Sequence, residues 1–132
     1  MITALDTSVL FAIFKPEPNG DAWLRMLETA ASAGPIVICE IVYAELAASF
    51  AQAEVLDRRL NALGVELLPS TKATLFEAGL IFKRYRLAGG TRSNMVPDFL
   101  IGAHAATQAD QLASADRGYL RQNFSGLKLL SI

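Results

Sequence analysis

Residues 35–46 read PIVICEIVYAEL. Ile36-Val37-Ile38-Cys39 is an unbroken apolar, β-branched run with no polar alternation, the pattern of a strand buried on both faces. Gly34-Pro35 punctuates its start, and the stretch 41–62 that follows is helix-prone, rich in Ala, Leu, Glu and Arg. A doubly buried strand followed at once by a helix predicts a parallel sheet covered by helices on both sides.

The alternation repeats outward from this point. Residues 2–5 (ITAL) form a first short apolar run; Asp6-Thr7-Ser8 interrupts it, and VLFAIF (9–14) resumes before the breaker PEPNG at 16–20. Asp21 follows that breaker and precedes Trp23, Leu24 and Leu27, so it reads as a helix N-cap. Leu56, Leu60 and Leu63 keep helical spacing until Gly64, and 65–68 read as a third strand. A helix is predicted from Thr71 to Leu87, closed by Gly89-Gly90, and Pro97-Asp98 opens a last long helix, FLIGAHAATQA. Residues 112–114 and 127–130 complete five strands. The reading is one α/β domain over residues 1–132, without repeats or linkers.

Composition excludes several classes. At 132 residues, 52% hydrophobic and 19% charged, the chain is neither disordered nor in need of a staple. Scaling gives about 6,800 Å² of folded surface, about one-third of the unfolded value. No apolar run approaches a membrane span, and the N-terminus meets Asp6 without a basic leader, which predicts a soluble, cytoplasmic protein. One cysteine (Cys39) and one histidine (His104) cannot build a disulfide or a zinc cage, so any metal would be held by oxygen.

The net charge of −1 hides an asymmetry: residues 1–66 carry net −5 and residues 67–132 net +4. No acid lies between Glu77 and Asp98, where Lys83, Arg84, Arg86 and Arg92 fall; Arg117, Arg121 and Lys128 follow. This is either a solvated basic side or an anion-binding face beside an acidic site.

In parallel sheets ligands bind beyond the carboxyl ends of the strands. Asp6 follows the first strand, Glu45 lies early in the helix after the second, Asp98 starts the last long helix, and Asp116 comes two residues after the strand at 112–114. Four carboxylates on one rim repel unless a cation neutralises them or some take up protons. A hard divalent cation is the simplest answer, with the hydroxyls of Thr7, Ser8 and Ser114 supporting the carboxylates or water. Each acid also has a plain structural use: Asp98 as a helix cap, Asp116 as a turn residue, Glu45 as an exposed helix residue. Asp6, between two apolar runs, is the hardest to explain that way, because a buried unpaired carboxylate is costly. Glu40 lies about 140° from Glu45 on a helix, and Asp110 about 18 Å from Asp98, so neither joins the cluster. His104, amid apolar and small neighbours, reads as a core or partner-facing histidine. Phe11, Phe14, Trp23, Leu24 and Phe50 suit the core or an apolar groove for a partner helix.

LDTSVL, VYAEL, PDFLIGAHA and LASADRGYL occur in the order and spacing of PIN-domain ribonucleases, and the chain resembles the VapC-type toxins of toxin–antitoxin pairs over nearly its whole length. The resemblance implies a three-layer α/β/α sandwich with a five-stranded parallel sheet. It implies Mg²⁺- or Mn²⁺-dependent endonucleolytic cleavage of RNA, often tRNA or rRNA, leaving a 5′-phosphate and a 3′-hydroxyl. The family's acids fall on Asp6, Glu45, Asp98 and Asp116, and its late hydroxyl on Ser114. Arg86, Arg92, Arg117 and Arg121 would then track the RNA backbone. A homodimer, and an antitoxin whose C-terminal segment occupies the groove, are implied as partners. Two departures stand out: Gly118 replaces a further acid of many relatives, and Gly102 stands where alanine is commoner, the latter reading as a small change. Other readings are a non-catalytic PIN-fold binding protein, or an aspartate-based phosphotransfer domain of the receiver or haloacid-phosphatase kind. The last lacks its second aspartate, since Ser8 stands there.

Overall fold

β1 (Thr3–Leu5) is the central strand of a five-stranded, all-parallel sheet of order β3-β2-β1-β4-β5. The computed structural model describes residues 1–15, 17–91, 95–116 and 122–132. Its remaining strands are β2 (Ile36–Ile38), β3 (Val65–Leu67), β4 (Gln111–Ala113) and β5 (Leu129–Leu130). Thr3 is in register with Ile36 on one side and Gln111 on the other. β1, β2 and β4 are buried throughout, as their apolar runs require; β3, at the edge, buries Val65 and exposes Glu66 and Leu67.

Six helices are present among the described residues: α1 (Thr7–Phe14), α2 (Gly20–Ala31), α3 (Glu40–Ala47), α4 (Ala53–Ala62), α5 (Lys72–Leu87) and α6 (Pro97–Gln108). From β1 the chain steps outward through β2 to β3, then returns past β1 to β4. Right-handed crossovers in opposite directions put α1–α4 on one face and α5–α6 on the other, which is the expected α/β/α sandwich. A receiver has order 2-1-3-4-5, so this sheet order removes the receiver form of the phosphotransfer reading. The accessible surface of 7182 Å² is close to the scaling expectation. Among the described residues no helix is long and apolar enough to cross a membrane.

The structure corrects several local expectations. The run 9–14 is helix, with Val9, Leu10 and Ala12 in the core. Asp21 is not the N-cap of α2; Asn19 is, and Asp21 lies in the first turn, where its charge suits the helix dipole. The stretch 41–62 is two helices, because the chain turns at 48–52 so that Leu46 and Leu56 can both reach the core and Phe50 can meet the Phe14 ring edge-on at 5.9 Å. Gly102 is no minor change. A Cβ there would stand 2.4 Å from the Phe124 ring, so its absence seats that ring on α6. The helix expected from about Thr71 begins at Lys72, with Thr71 as its N-cap, its side chain accepting the Thr74 N–H.

Candidate active site

Reversal of direction on either side of β1 opens a crevice between the carboxyl ends of β1 and β4. Asp6 stands at its mouth. Its N–H donates to the Ala113 carbonyl (2.9 Å), which fixes the end of β1 against β4. Asp6 is only 8% exposed, and three donors serve its carboxylate: the Thr7 N–H reaches Oδ1 at 2.7 Å, and the hydroxyls of Ser8 (3.1 Å) and Ser114 (2.8 Å) reach Oδ2. Three bonds explain how a carboxylate survives burial beside an apolar strand. They also orient it, since Oδ2 takes two donors and Oδ1 only one.

Thr7 joins this carboxylate to a second one. Its N–H serves Asp6, and its hydroxyl donates to Glu45 Oε1 at 2.6 Å. Glu45 is half-buried, in the second turn of α3. Ser8 and Ser114 extend the network to the turn after β4. The Ser8 oxygen accepts the Ala115 N–H (3.2 Å), and the Ser114 oxygen accepts the Asp116 N–H (3.1 Å). The Asp116 backbone is thus fixed two residues past the strand, and its side chain is exposed.

Asp98 reaches the rim by topology. It lies half-buried in the first turn of α6, which Pro97 opens, and α6 runs back toward the start of β4. Asp110, at the far end, accepts the Ile2 N–H at 2.6 Å and stands apart, as its spacing requires. Glu40 also stands apart, accepting the N–H and hydroxyl of Ser70 at 2.9 Å. Partial burial pushes the Glu40 carboxyl up, and these donors outweigh it, leaving the group below its ordinary value. His104 is buried, its Nε2 donating to the Leu68 carbonyl at 2.7 Å; burial holds the imidazole below its ordinary value. It is a core histidine that pins the strand-end loop to α6.

Arg86 is exposed in the last turn of α5. Arg92, Arg117, Arg121 and Gly118 lie outside the described residues. Trp23 is core, whereas Phe11, Phe14 and Phe50 line a surface groove of about 130 Å³ with Lys15, Ser49 and Arg59. Arg59 lies over the Phe14 ring at 4.3 Å, and Lys15 over Phe11 at 4.2 Å. Sequence spacing gave no signal for Arg59, because the groove forms only when α1 and the 48–52 turn meet.

Among the described residues no three His, Cys, Asp or Glu side chains form a metal cage by themselves. The donors that do converge are all oxygen: two carboxylates held by one threonine, with hydroxyls behind them. That set fits Mg²⁺ or Mn²⁺, since Mg²⁺ keeps several waters and takes one or two carboxylates.

A family model described as PIN domain matches residues 3–124. Among solved structures, VapBC2 from Rickettsia felis bound to a DNA fragment from their promoter contains a chain 25% identical to this one. It matches with TM-score 0.80 over 100% of this chain and 99% of that one. VapBC-1 from nontypeable Haemophilus influenzae matches at 21% identity and TM-score 0.73, covering 99% and 98%. A toxin–antitoxin complex from Klebsiella pneumoniae matches at 17% identity and TM-score 0.63, covering 97% and 95%. No curated protein sequence matches the chain.

Proposed function

Since this chain belongs to the PIN-domain family, we propose that it is a VapC-type toxin, a ribonuclease that hydrolyses RNA phosphodiester bonds with Mg²⁺ or Mn²⁺ and is held in check by an antitoxin. The observation that carries the reading is the pair of carboxylates, Asp6 and Glu45, hung on Thr7 at the crevice of the sheet. Asp6, Glu45, Asp98 and Asp116 would hold the ion, directly or through water. When bound, it supplies the positive charge a phosphodiester needs and makes water a better nucleophile.

The chain's own groups do the rest. Thr7, Ser8 and Ser114 keep Asp6 in one orientation, so no reorganisation is needed when substrate arrives. Glu45, held at Oε1 by the Thr7 hydroxyl, orients the attacking water and accepts its proton. Arg86, with Arg92, Arg117 and Arg121, neutralises the RNA backbone beside an otherwise repelling acidic site. Tertiary RNAs such as tRNA or rRNA are the expected targets.

The remaining partners follow the same reading: a homodimer working in the cytoplasm as one PIN domain, and an antitoxin segment laid in the groove of Phe11, Phe14 and Phe50. The test is incubation of the purified protein with total RNA in Mn²⁺ or Mg²⁺, beside EDTA and the Asp6→Asn variant. Discrete cleavage lost in both controls supports the reading. Undiminished cleavage in EDTA overturns the metal-dependent mechanism, and no cleavage together with no divalent-ion binding favours a non-catalytic PIN-fold binding protein.

A further inference from the structure

A cavity of about 400 Å³ lies at the amino ends of the strands, the opposite end of the sheet from Asp6 and Glu45. Its walls are apolar: α2 contributes Met26 and Ala30, β5 contributes Leu130, and Met1 closes one side. Two polar residues stand among them, Gln111, which opens β4, and Lys128, just before β5. Leu112 is in register with Leu129, so Gln111 and Lys128 are neighbours one place earlier. Gln111 is 4% exposed. Its Nε2 donates to Thr3 Oγ1 at 2.8 Å, and its Oε1 has no partner among the described residues. An unpaired amide oxygen inside a fold is costly, and no donor of the core relieves this one. Lys128 is exposed and makes no ion pair among the described residues, and no carboxylate lines the cavity.

We propose that this cavity binds a small aryl carboxylic acid whose ring system carries one N–H or O–H donor, the chemistry of an indole or phenol carboxylate. The donor completes Gln111 Oε1, the carboxylate meets the Lys128 ammonium, and the ring lies against Met26, Ala30 and Leu130. Methionine stems adapt to a flat ring, and their sulfur makes favourable contacts with it. Adjacent strands stand about 4.8 Å apart, so the donor and the anion must be separated by about one ring. The volume suits one small ligand. Other ligand classes fit less well. An inorganic anion would satisfy Lys128 and leave the amide oxygen orphaned. A divalent cation would find no carboxylate, and a plain hydrocarbon would leave both polar groups unmet. None of the groups assigned to RNA cleavage lines this cavity, so the proposal stands apart from the nuclease reading.

The test is calorimetric titration of the intact chain with indole-3-acetate and 4-hydroxyphenylacetate, beside thermal melts. For the indole, the 1-methyl derivative removes the donor and indole-3-acetamide removes the charge. On the wild type, methylation weakens binding about tenfold and the amide binds about fivefold more weakly than the acid. Gln111→Leu abolishes the difference between the methylated and unmethylated acids. Lys128→Gln, an exposed change that leaves the core intact, abolishes the difference between acid and amide. Circular dichroism confirms that Gln111→Leu is folded, and the Lys128→Gln result stands even where it is not. No heat and no melting shift with either acid at millimolar concentration overturns the proposal. So does binding that Lys128→Gln leaves unchanged in strength and in preference for the acid, because the ligand would then sit elsewhere.

Discussion

Ser114 Oγ donates to Asp6 Oδ2 across 2.8 Å, although the two residues are 108 positions apart. This bond ties the carboxyl end of β1 to that of β4, and the same oxygen accepts the Asp116 N–H. One hydroxyl therefore sets the attitude of one acid and the backbone of another.

Ser114→Ala should cost about 1–3 kcal/mol of stability, because a buried carboxylate loses a donor and an amide loses its acceptor. RNA cleavage should fall at least about tenfold at saturating metal. Ser114→Thr keeps the hydroxyl and should recover most of both. Melting curves and single-turnover cleavage check this; an alanine variant as active as wild type would remove Ser114 from the site.

Metal should bind the folded chain and not the unfolded one. Adding Mn²⁺ at about 100 times its dissociation constant should stabilise the wild type by about 2.7 kcal/mol. Asp6→Asn and Glu45→Gln should lose most of that increment, together with cleavage, while keeping their fold. Titration calorimetry beside thermal melts separates loss of binding from loss of structure.

Stability should fall in acid in two stages. Burial keeps His104 neutral in the fold, so the unfolded chain binds its proton first as pH drops through about 6.5. That loss continues until the lower folded value is passed. Glu40, held below its ordinary value, adds a second loss as pH falls through the usual carboxylate range toward its folded value. His104→Leu should flatten the first stage and lower stability at neutral pH, since the Leu68 carbonyl loses its donor. Urea titrations between pH 7.5 and 4 give the slopes; an unchanged slope in the variant would contradict the assignment.

Gly102→Ala should destabilise by about 1–3 kcal/mol, since the Phe124 ring must leave its seat on α6. Combined with Phe124→Leu, much of that penalty should vanish, a coupling of at least about 1 kcal/mol in a double-mutant cycle. Additive costs would mean that the ring moves aside freely.

Arg86→Ala should weaken RNA binding and reduce the salt slope by about one, leaving metal affinity unchanged. Filter binding from low to moderate salt checks this, and an unaltered affinity at low salt would exclude Arg86 from the RNA path.

The strands were legible because their evidence is local. A β-branched run such as Ile36–Ile38 reads as doubly buried whatever surrounds it, and Pro97 marks a helix start by its own backbone chemistry. Asp6, Glu45, Asp98 and Asp116 could be proposed because each follows a strand or falls in the first turns of a helix, and the rule that puts ligands at strand ends needs no coordinates. The break at 48–52 was not legible, since Ala-rich sequence favours helix on both sides of it and only the core decides where the chain must turn.

Sequence by itself determined the α/β class, the parallel sheet and the oxygen-only donor set, which rest on periodicity, punctuation and residue type, and its four ordered motifs carried the resemblance to the family. Tertiary structure decided the strand order, the bridge from Thr7 to both carboxylates and the seat of Phe124 on Gly102. These depend on which way each crossover turns and on which side chains then meet across dozens of residues. Local propensity carries no information about either.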